Sequence, residues 1–447
     1  MRSTSIGVSC LLGIVGAVLF GSVAPVTGQQ APVTNQQAPV TDQQPPATGQ
    51  QPSVTGQQPL ERVSVDDALR IALQQNPTVR AQQAALTSTK AGEITAALRP
   101  NPTMNFLAEQ LKPGGSQQDA QYTVNVGQPI ELGGKRGRRM DSAKAATQVA
   151  GYQLEDIRRQ VTLQVKSAFA GALIAREQLA LAQENLKTLD DTERIQRLRA
   201  EKGDISELEL LRIQVQRFTF ERDAADARQA LAAAKIALRA AAGGEAIAED
   251  FDVVGELGFK DVSLDKSVLM RRAMDSRPDL RAAEADRERA RADHRLARAN
   301  AWWDITPQLE YQRIGPDNTL GVGFSLPIRI FDRNQGEIAR TQAEIDRVDA
   351  VREATALQLL AALDTDRHTA LTQRERAVSL RDVYLPKATR ARDTVEFAYR
   401  RGGQSLLDFL DAQRSYRETA LAHLQAVGAY LSALYQLEAD IGGPLDQ

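Results

Sequence analysis

The feature that most constrains the fold is an internal repeat with a spacing of about 200 residues. Pro77 recurs as Pro278, and Gly203 recurs as Gly402. A near-constant spacing at separated points predicts a duplicated architecture, with a first structural repeat at 61–255 and a second at 256–443. Three pairs of segments carry the repeat: VSVDDALRIALQQNPTVRA (63–81) with VSLDKSVLMRRAMDSRPDLRA (262–282), QPIELGGKRGRR (128–139) with LPIRIFDRNQGE (326–337), and GDISELELLRIQ (203–214) with GGQSLLDFLDAQ (402–413).

Each copy predicts the same order: a helix of roughly thirty residues, a short alternating region, a very long helix, a glycine turn and a returning helix. The segment from Arg136 to Arg199 contains no proline. At about 1.5 Å per residue it would span roughly 100 Å, which exceeds a globular diameter. Its apolar residues recur at three- and four-residue steps, as at Leu154, Ile157 and Val161. We therefore expect side-by-side packing of helical hairpins or a barrel of coiled coils.

Strand-like alternation of apolar and polar residues occurs twice in each copy, and a polar loop joins each pair. This predicts two β-hairpins, at 102–130 and 303–328. Alternation alone fits a soluble amphipathic sheet equally well. A large apolar face with nothing to cover it, together with strands of about 9–11 residues, favours transmembrane β-strands. Four strands cannot close a barrel in lipid, so this interpretation requires several chains.

The first residues are typical of an export signal. Arg2 precedes a mostly apolar stretch from Ile6 to Phe20, and small residues follow where a signal peptidase cuts. We expect residues 1–28 to be a signal peptide. Cys10, the single cysteine, lies inside this stretch with too few residues before it for a lipid-anchor site. The mature chain then has no disulfide, thiolate ligand or cysteine nucleophile.

Residues 29–60 are a degenerate heptapeptide array that begins QQAPVTN and QQAPVTD. Each unit carries proline and lacks the apolar pair of a coiled coil. The composition predicts a disordered, partly polyproline-like linker.

Composition and motifs exclude several functions. The formal charge is −2, from 55 basic and 57 acidic side chains, so no net field would hold a nucleic acid. The three histidines, His294, His368 and His423, are far apart and have no neighbouring ligand set, so we predict no metal site. No phosphate loop or nucleophile–base arrangement occurs, which indicates neither an enzyme nor a cofactor.

The duplication, the hairpins, the PIELGGKR junction and the GDIS and GGQS turns together resemble the outer membrane efflux proteins of TolC type. The long segment DFLDAQRSYRETALAHLQAVGAYLSALYQLEADIG near the end shares this resemblance, which covers residues 61 to 443. PIELGGKR is similar to a string in the heavy-metal (cobalt–zinc–cadmium) branch of the family.

The resemblance implies a mainly α-helical fold with a small β part. Three identical chains would share a 12-stranded outer-membrane β-barrel that continues into a periplasmic α-helical barrel. It implies a passive exit duct that docks on a periplasmic adaptor (membrane fusion protein) and an inner-membrane RND-type pump, in contact with outer-membrane lipid. Metal cations or small toxic compounds would be the cargo.

The resemblance also implies roles for residues near the two glycine turns, at 203–206 and 402–405. Asp408 and Asp411 match a pair of aspartates that form an acidic ring at the channel entrance, although acids near a helix start also complement its dipole. Glu209 and Tyr399 match contacts that hold the entrance closed. Gln404 stands where the best-known member has an arginine, so a closed state held by that charge is not expected here. The turns themselves are the expected adaptor-docking tips: Gly203, Asp204, Ile205, Ser206, Gly402, Gly403 and Ser405.

The stretch GQPIELGGKRGRR (127–139) has the glycines and basic charges of a phosphate-binding loop. Its counterpart in the second copy has lost most of those charges, which argues against that interpretation. We predict a strand–helix junction in which Gly133 and Gly134 let the chain turn. Lys135 and Arg136, with the arginines that follow, are expected near lipid headgroups at the periplasmic rim.

Two alternatives stay open on the sequence. The same duct could serve protein secretion from an ABC exporter. A soluble periplasmic coiled-coil scaffold is the alternative of a different class, because its hairpins could pack inside an assembly.

Overall fold

The computed structural model describes residues 60–115 and 119–445. The predicted signal peptide lies outside these ranges, as does the linker except for its last residue, Leu60, which already belongs to a strand. The helices and strands follow in chain order: β1 (Leu60–Val63), α1 (Val65–Gln75), α2 (Pro77–Ala97), β2 (Thr103–Glu109), β3 (Gln121–Gly127), α3 (Lys135–Glu201), α4 (Glu207–Ala242), β4 (Ile247–Val253), α5 (Lys266–Ser276), α6 (Pro278–Asn300), β5 (Thr306–Ile314), β6 (Asp317–Ser325), α7 (Gln335–Ser379), α8 (Leu385–Arg400) and α9 (Leu406–Asp440).

The single helix predicted at the start of each copy is instead a pair of helices. The break falls at Asn76 before Pro77, and at Arg277 before Pro278. A residue before proline is driven out of the helical region, and both of these residues are extended, with ψ of 126° and 122°. Proline then starts the second helix, where its missing N–H costs nothing.

The very long helix is continuous only in the first copy. In the second copy, α7 gives way to a π-helical turn at Leu380–Tyr384 before α8 begins. Pro386 lies in the first turn of α8 and has no backbone N–H to continue the ladder. The π-helical turn therefore connects α7 to α8 without a break in the helical segment.

The two hairpins form one antiparallel sheet in the order β2-β3-β5-β6. Its register aligns apolar residues in rows across all four strands. One row is Met104, Val126, Leu309 and Val322, and the next is Phe106, Val124, Tyr311 and Leu320. Exposure in these rows reaches 88% at Val322, so an apolar face of the sheet is bare in the single chain.

The opposite face of the sheet is polar. Asn125 is opposite Glu310 and donates to its carboxylate at 3.3 Å. Gly321 continues this row on the outer strand. The second hairpin has a short turn of two residues, because Ile314 pairs with Asp317. Among the described helices, none combines the length and apolar character needed to cross a bilayer.

A short parallel sheet of β1 and β4 was missed by the sequence analysis. It packs on the first hydrophobic core, which joins α1, α3 and the end of α4 around Val165, Phe169 and Leu238. A second core around Leu363, Tyr430 and Leu437 joins α7 and α9 in the second copy. The two copies thus have separate cores at the base of their hairpins.

Candidate functional site at the tips of the helical hairpins

The two tips have the same backbone geometry. Gly203 and Gly402 both have φ of 79°, which is the left-handed conformation that favours glycine. Gly203 N–H donates to Ala200 O at 3.0 Å, and Asp204 N–H donates to Arg199 O at 2.9 Å. Gly402 and Gly403 make the matching bonds, at 3.0 and 2.9 Å. These paired bonds close the last turn of each helix and explain why glycine recurs at this position.

Each returning helix begins with a serine cap. Ser206 Oγ accepts from Glu209 N–H, and Ser405 Oγ accepts from Asp408 N–H at 3.1 Å. Asp408 Oδ2 in turn accepts from Ser405 N–H at 3.2 Å and from its hydroxyl at 2.7 Å. Asp408 therefore completes a capping box at the start of α9.

Gln404, Asp408 and Asp411 line one groove between α8 and α9, with a volume of about 330 Å³. Ser415 continues this wall one turn further along α9. Both aspartates are exposed. Within the part of the chain that the structure describes, neither carboxylate lies within ion-pair distance of a basic side chain. The groove thus carries two negative charges about one helical turn apart, and Arg414 is near enough to Asp411 to interact with its charge without forming an ion pair.

Tyr399 is buried between the two hairpins, not in that groove. Its ring stacks on Phe409 at a centroid distance of 4.9 Å, within a hydrophobic cluster that includes Leu189 and Ile213. Burial, together with the charge of Glu209, raises the pKa of Tyr399 to about 12. The structure therefore brings Tyr399 and Glu209 near each other, while Gln404 lines the groove between α8 and α9.

A buried polar network near the first tip was missed by the sequence analysis. Glu193 on α3 is 6% exposed and accepts from Arg197 at 2.8 Å and from Arg217 on α4 at 3.0 Å. Arg217 also pairs with Asp190 at 2.6 Å and Glu221 at 2.7 Å. The signal was present as a glutamate in the buried stripe of α3, where apolar residues are expected.

The strand–helix junction of the first copy turns at two glycines. Gly133 and Gly134 have φ of 71° and 72°, and a Cβ on Gly133 would lie 2.9 Å from the Trp302 side chain. In the second copy Asn334 takes the corresponding place before α7, with φ of 63°. Asparagine is one of the few other residues that adopt this conformation readily.

The expectation that Lys135 lies among lipid headgroups is wrong. It is 5% exposed, and its ammonium contacts both carboxylate oxygens of Asp304 at 2.7 Å. Arg136 donates to Ala97 O at 2.6 Å, and Arg139 pairs with Glu131 at 2.6 Å. All three basic groups tie the start of α3 to neighbouring segments. Lys135 is buried and Arg139 is half-buried, so these two cations require a nearby acceptor, whereas Arg136 is exposed.

No three His, Cys, Asp or Glu side chains gather into a metal-holding set within the described ranges. A sheet with a bare apolar face and a polar reverse, joined by left-handed turns at Gly134 and Asn334 to two long helical hairpins, defines an outer-membrane channel protein. The chain belongs to the outer membrane efflux protein family, whose sequence model matches residues 68–244 and 269–443. The resemblance drawn from the sequence is confirmed, and so is the internal duplication.

Among its relatives is the cobalt-zinc-cadmium resistance protein CzcC of Cupriavidus metallidurans, 26% identical over 85% of this chain and 90% of that protein. The fold matches the channel CusC with a TM-score of 0.70 and 18% identity, over 90% of this chain and 99% of that one. It also matches the open state of the MtrE outer membrane channel of Neisseria gonorrhoeae, with a TM-score of 0.71 and 19% identity over 85% and 89% of the two chains.

Membership of this family makes the protein an outer-membrane channel of a tripartite efflux system, with its helical part in the periplasm. It is a transport protein and not an enzyme. The family functions as trimers, so the bare apolar face and the open sheet edges of the single chain belong to an assembled channel. The soluble scaffold is thereby excluded.

Proposed function

We propose that this channel exports divalent heavy-metal cations. The observation that carries the proposal is the groove in which Asp408 and Asp411 present exposed carboxylates, neither of them in an ion pair within the described residues, beside Gln404. In a trimer this groove occurs three times around one axis, and a ring of carboxylates attracts cations and repels anions. The sequence relatives support the same cargo, since CzcC is a cobalt-zinc-cadmium resistance protein and NccC of Alcaligenes xylosoxydans xylosoxydans is a nickel-cobalt-cadmium resistance protein.

We propose that Asp411 contributes more to the acidic ring than Asp408 does. Asp408 Oδ2 already accepts two hydrogen bonds from Ser405, whereas Asp411 has no hydrogen-bond partner among the described residues. The Asp411 carboxylate is consequently the freer of the two to meet a passing cation. Asp408 adds charge and fixes the start of the helix that presents both groups.

The partners we propose are a periplasmic adaptor at the tips and an inner-membrane pump of RND type. The tips suit docking because their backbone is fixed by paired hydrogen bonds while their side chains stay exposed. Ile205 is half-buried, and Leu407 beside the second tip is 75% exposed, so each tip offers apolar surface to a partner. Outer-membrane lipid would cover the apolar face of the sheet.

The cargo is tested by deleting the gene and measuring the tolerance of the cells to cobalt, zinc, cadmium and organic toxins. We expect metal tolerance to fall while tolerance of organic toxins stays unchanged. Restoration by the wild-type gene but only partial restoration by Asp411→Asn would assign the effect to the acidic ring. Loss of tolerance to organic toxins alone would overturn the proposal.

A further inference from the structure

Each copy starts with a pair of helices that break before a proline. The last helix of the same copy is anchored, at its C-terminal end, to this break. In the first copy, Asn76 precedes Pro77 and its side-chain amide donates to Ala241 O at 2.8 Å. Gly243 follows with φ of 105° and packs against the Asn76 backbone. Asn76 is 5% exposed, so this anchor is a buried and uncharged hydrogen bond.

The second copy has the same arrangement with charged groups. Arg277 precedes Pro278 and donates to Asp440, at 3.1 Å to Oδ1 and at 3.4 Å to the backbone oxygen. Gly442 follows with φ of 72° and packs against Ser276. The two copies thus share the anchor, which is an amide–carbonyl bond in the first and an arginine–carboxylate bond in the second.

Asp440 is surrounded by charged groups from every element that packs on it. Arg277 comes from the α5–α6 break, Arg159 from α3 and Asp366 from α7, while Gln436 on its own helix donates at 3.4 Å. Arg277 is shared with Asp279, at 3.0 Å. Asp440 is 2% exposed.

One oxygen of this buried carboxylate is left without a partner. Asp440 Oδ2 accepts no hydrogen bond from the residues that the structure describes. A buried carboxylate oxygen without a hydrogen-bond partner costs free energy. When the carboxyl group is protonated, that oxygen can instead donate a hydrogen bond. Asp366 supplies the acceptor for that proton.

We propose that the Asp440 anchor is a pH-sensitive lock, by which we mean a set of contacts whose strength in holding the C-terminal end of α9 depends on pH. With Asp440 protonated, Asp366 and Asp440 share a hydrogen bond and the end of α9 is held on α7 and on the α5–α6 break. With both groups ionised they repel, and only Arg277 and Arg159 hold the anchor. The other end of α9 carries Asp408 and Asp411, so the lock sets how firmly the helix of the entrance ring is rooted.

The direction of the pH effect follows from the proton affinity of the folded anchor. Burial, and then the hydrogen bond and charge of Asp366, raise the pKa of Asp440 from 3.8 to about 7. Between about pH 4 and pH 7, Asp440 is protonated when its segment is folded and ionised when the segment opens. The stabilisation is therefore complete below about pH 4 and is lost as the pH rises through about 7.

The test is hydrogen exchange of the full-length protein in detergent at pH 6 and pH 8, corrected for the intrinsic exchange rate. The segments to compare are 437–443 in the second copy and 238–244 in the first. We expect the opening constant at 437–443 to rise about tenfold between the two pH values, while that at 238–244 stays constant. Equal behaviour of the two anchors would overturn the proposal.

Two variants sharpen this comparison. Asp440→Asn cannot ionise, so its opening constant should be the same at pH 6 and pH 8. A tenfold change that persists in Asp440→Asn would contradict the lock. Asp366→Asn keeps Asp440 but removes the second carboxyl, and it should shrink the change to a few-fold; an undiminished change would exclude Asp366 as the partner. This second variant decides the question if Asp440→Asn fails to assemble.

Discussion

Lys135 Nζ lies 2.7 Å from both carboxylate oxygens of Asp304, which bonds the start of α3 in the first copy to the residues before β5 in the second. Asp304 Oδ1 also accepts from Leu132 N–H at 3.0 Å. Because the lysine side chain is 6% exposed, its charge is compensated by Asp304 and not by water. This ion pair fixes the two hairpins relative to the long helix at the point where strand becomes helix.

Asp304→Asn should lower the free energy of unfolding by about 3 kcal/mol, because it leaves the buried ammonium of Lys135 without an anion. The matched control is Asp141→Asn, which removes an exposed pair with Arg138 and should change stability by less than about 1 kcal/mol. Thermal unfolding of the purified protein measures both. Equal shifts in the two variants would show that the Lys135–Asp304 pair has no special role.

The two junction glycines should respond differently to substitution. Gly133→Ala combines a positive φ with a 2.9 Å approach to Trp302, and it should cost about 3 kcal/mol. Gly134→Asn should be nearly neutral, because nothing lies within 4 Å of its Cβ and Asn334 adopts the same conformation in the second copy. The yield of assembled channel and its melting temperature report the difference; a Gly134→Asn variant as damaged as Gly133→Ala would refute the packing argument.

Tyr399 should matter for its ring more than for its hydroxyl. Tyr399→Ala empties a site against Phe409 and should cost about 3–5 kcal/mol at the tips, whereas Tyr399→Phe should cost about 1 kcal/mol. Limited proteolysis at the tips measures this local stability. Since burial raises the pKa of Tyr399 to about 12, its stabilisation is complete below the ordinary value of 10 and is lost only as the pH rises through 12. Ionisation of Tyr399 should therefore not change tip protection between pH 6 and pH 9.

The Glu193 network should make the first hairpin sensitive to acid. Burial opposes ionisation of Glu193, but hydrogen bonds from Arg217 and Arg197 outweigh it and lower its pKa. This stabilisation is present above the ordinary pKa of 4.5 and is lost as the pH falls through the lowered value. Glu193→Gln should cost about 2 kcal/mol at pH 7 and should flatten the acid limb of the stability curve.

The control for this prediction is Glu221→Gln, which removes a half-exposed partner of the same arginine. It should cost less than about 1 kcal/mol and leave the acid limb unchanged. Urea unfolding at pH 7 and pH 4 distinguishes the two variants, and an unchanged acid limb in Glu193→Gln would contradict the assignment.

Periodic and repeated features of the sequence predicted the fold well. The duplication, the long helices and both hairpins are visible as local patterns of proline, glycine and apolar spacing. The helix breaks at Asn76 and Arg277 are also encoded locally by the prolines that follow, although the single helix predicted for each copy crosses them. At both residues the backbone is extended, whereas a continuous helix was expected.

The features that could not be predicted are contacts between residues that lie far apart in the sequence. The partners of Lys135 and Arg217 are set by the packing of helices, and no local pattern specifies Asp304 for one or Glu193 for the other. The parallel pairing of β1 with β4 likewise joins segments separated by an entire helical hairpin. The basic run was thus interpreted as a surface because Asp304, the acceptor for Lys135, lies in the second copy.

The most direct test of the central claim is ion selectivity of the purified channel in planar bilayers under a salt gradient. Wild-type channels should select cations, and Asp411→Asn should reduce that selectivity and the block by cobalt or zinc without disturbing the capping box at Asp408. Asp393→Asn, which removes an exposed acid already paired with Arg392, should leave both properties unchanged. Wild-type selectivity and metal block that persist in Asp411→Asn would contradict the acidic entrance ring.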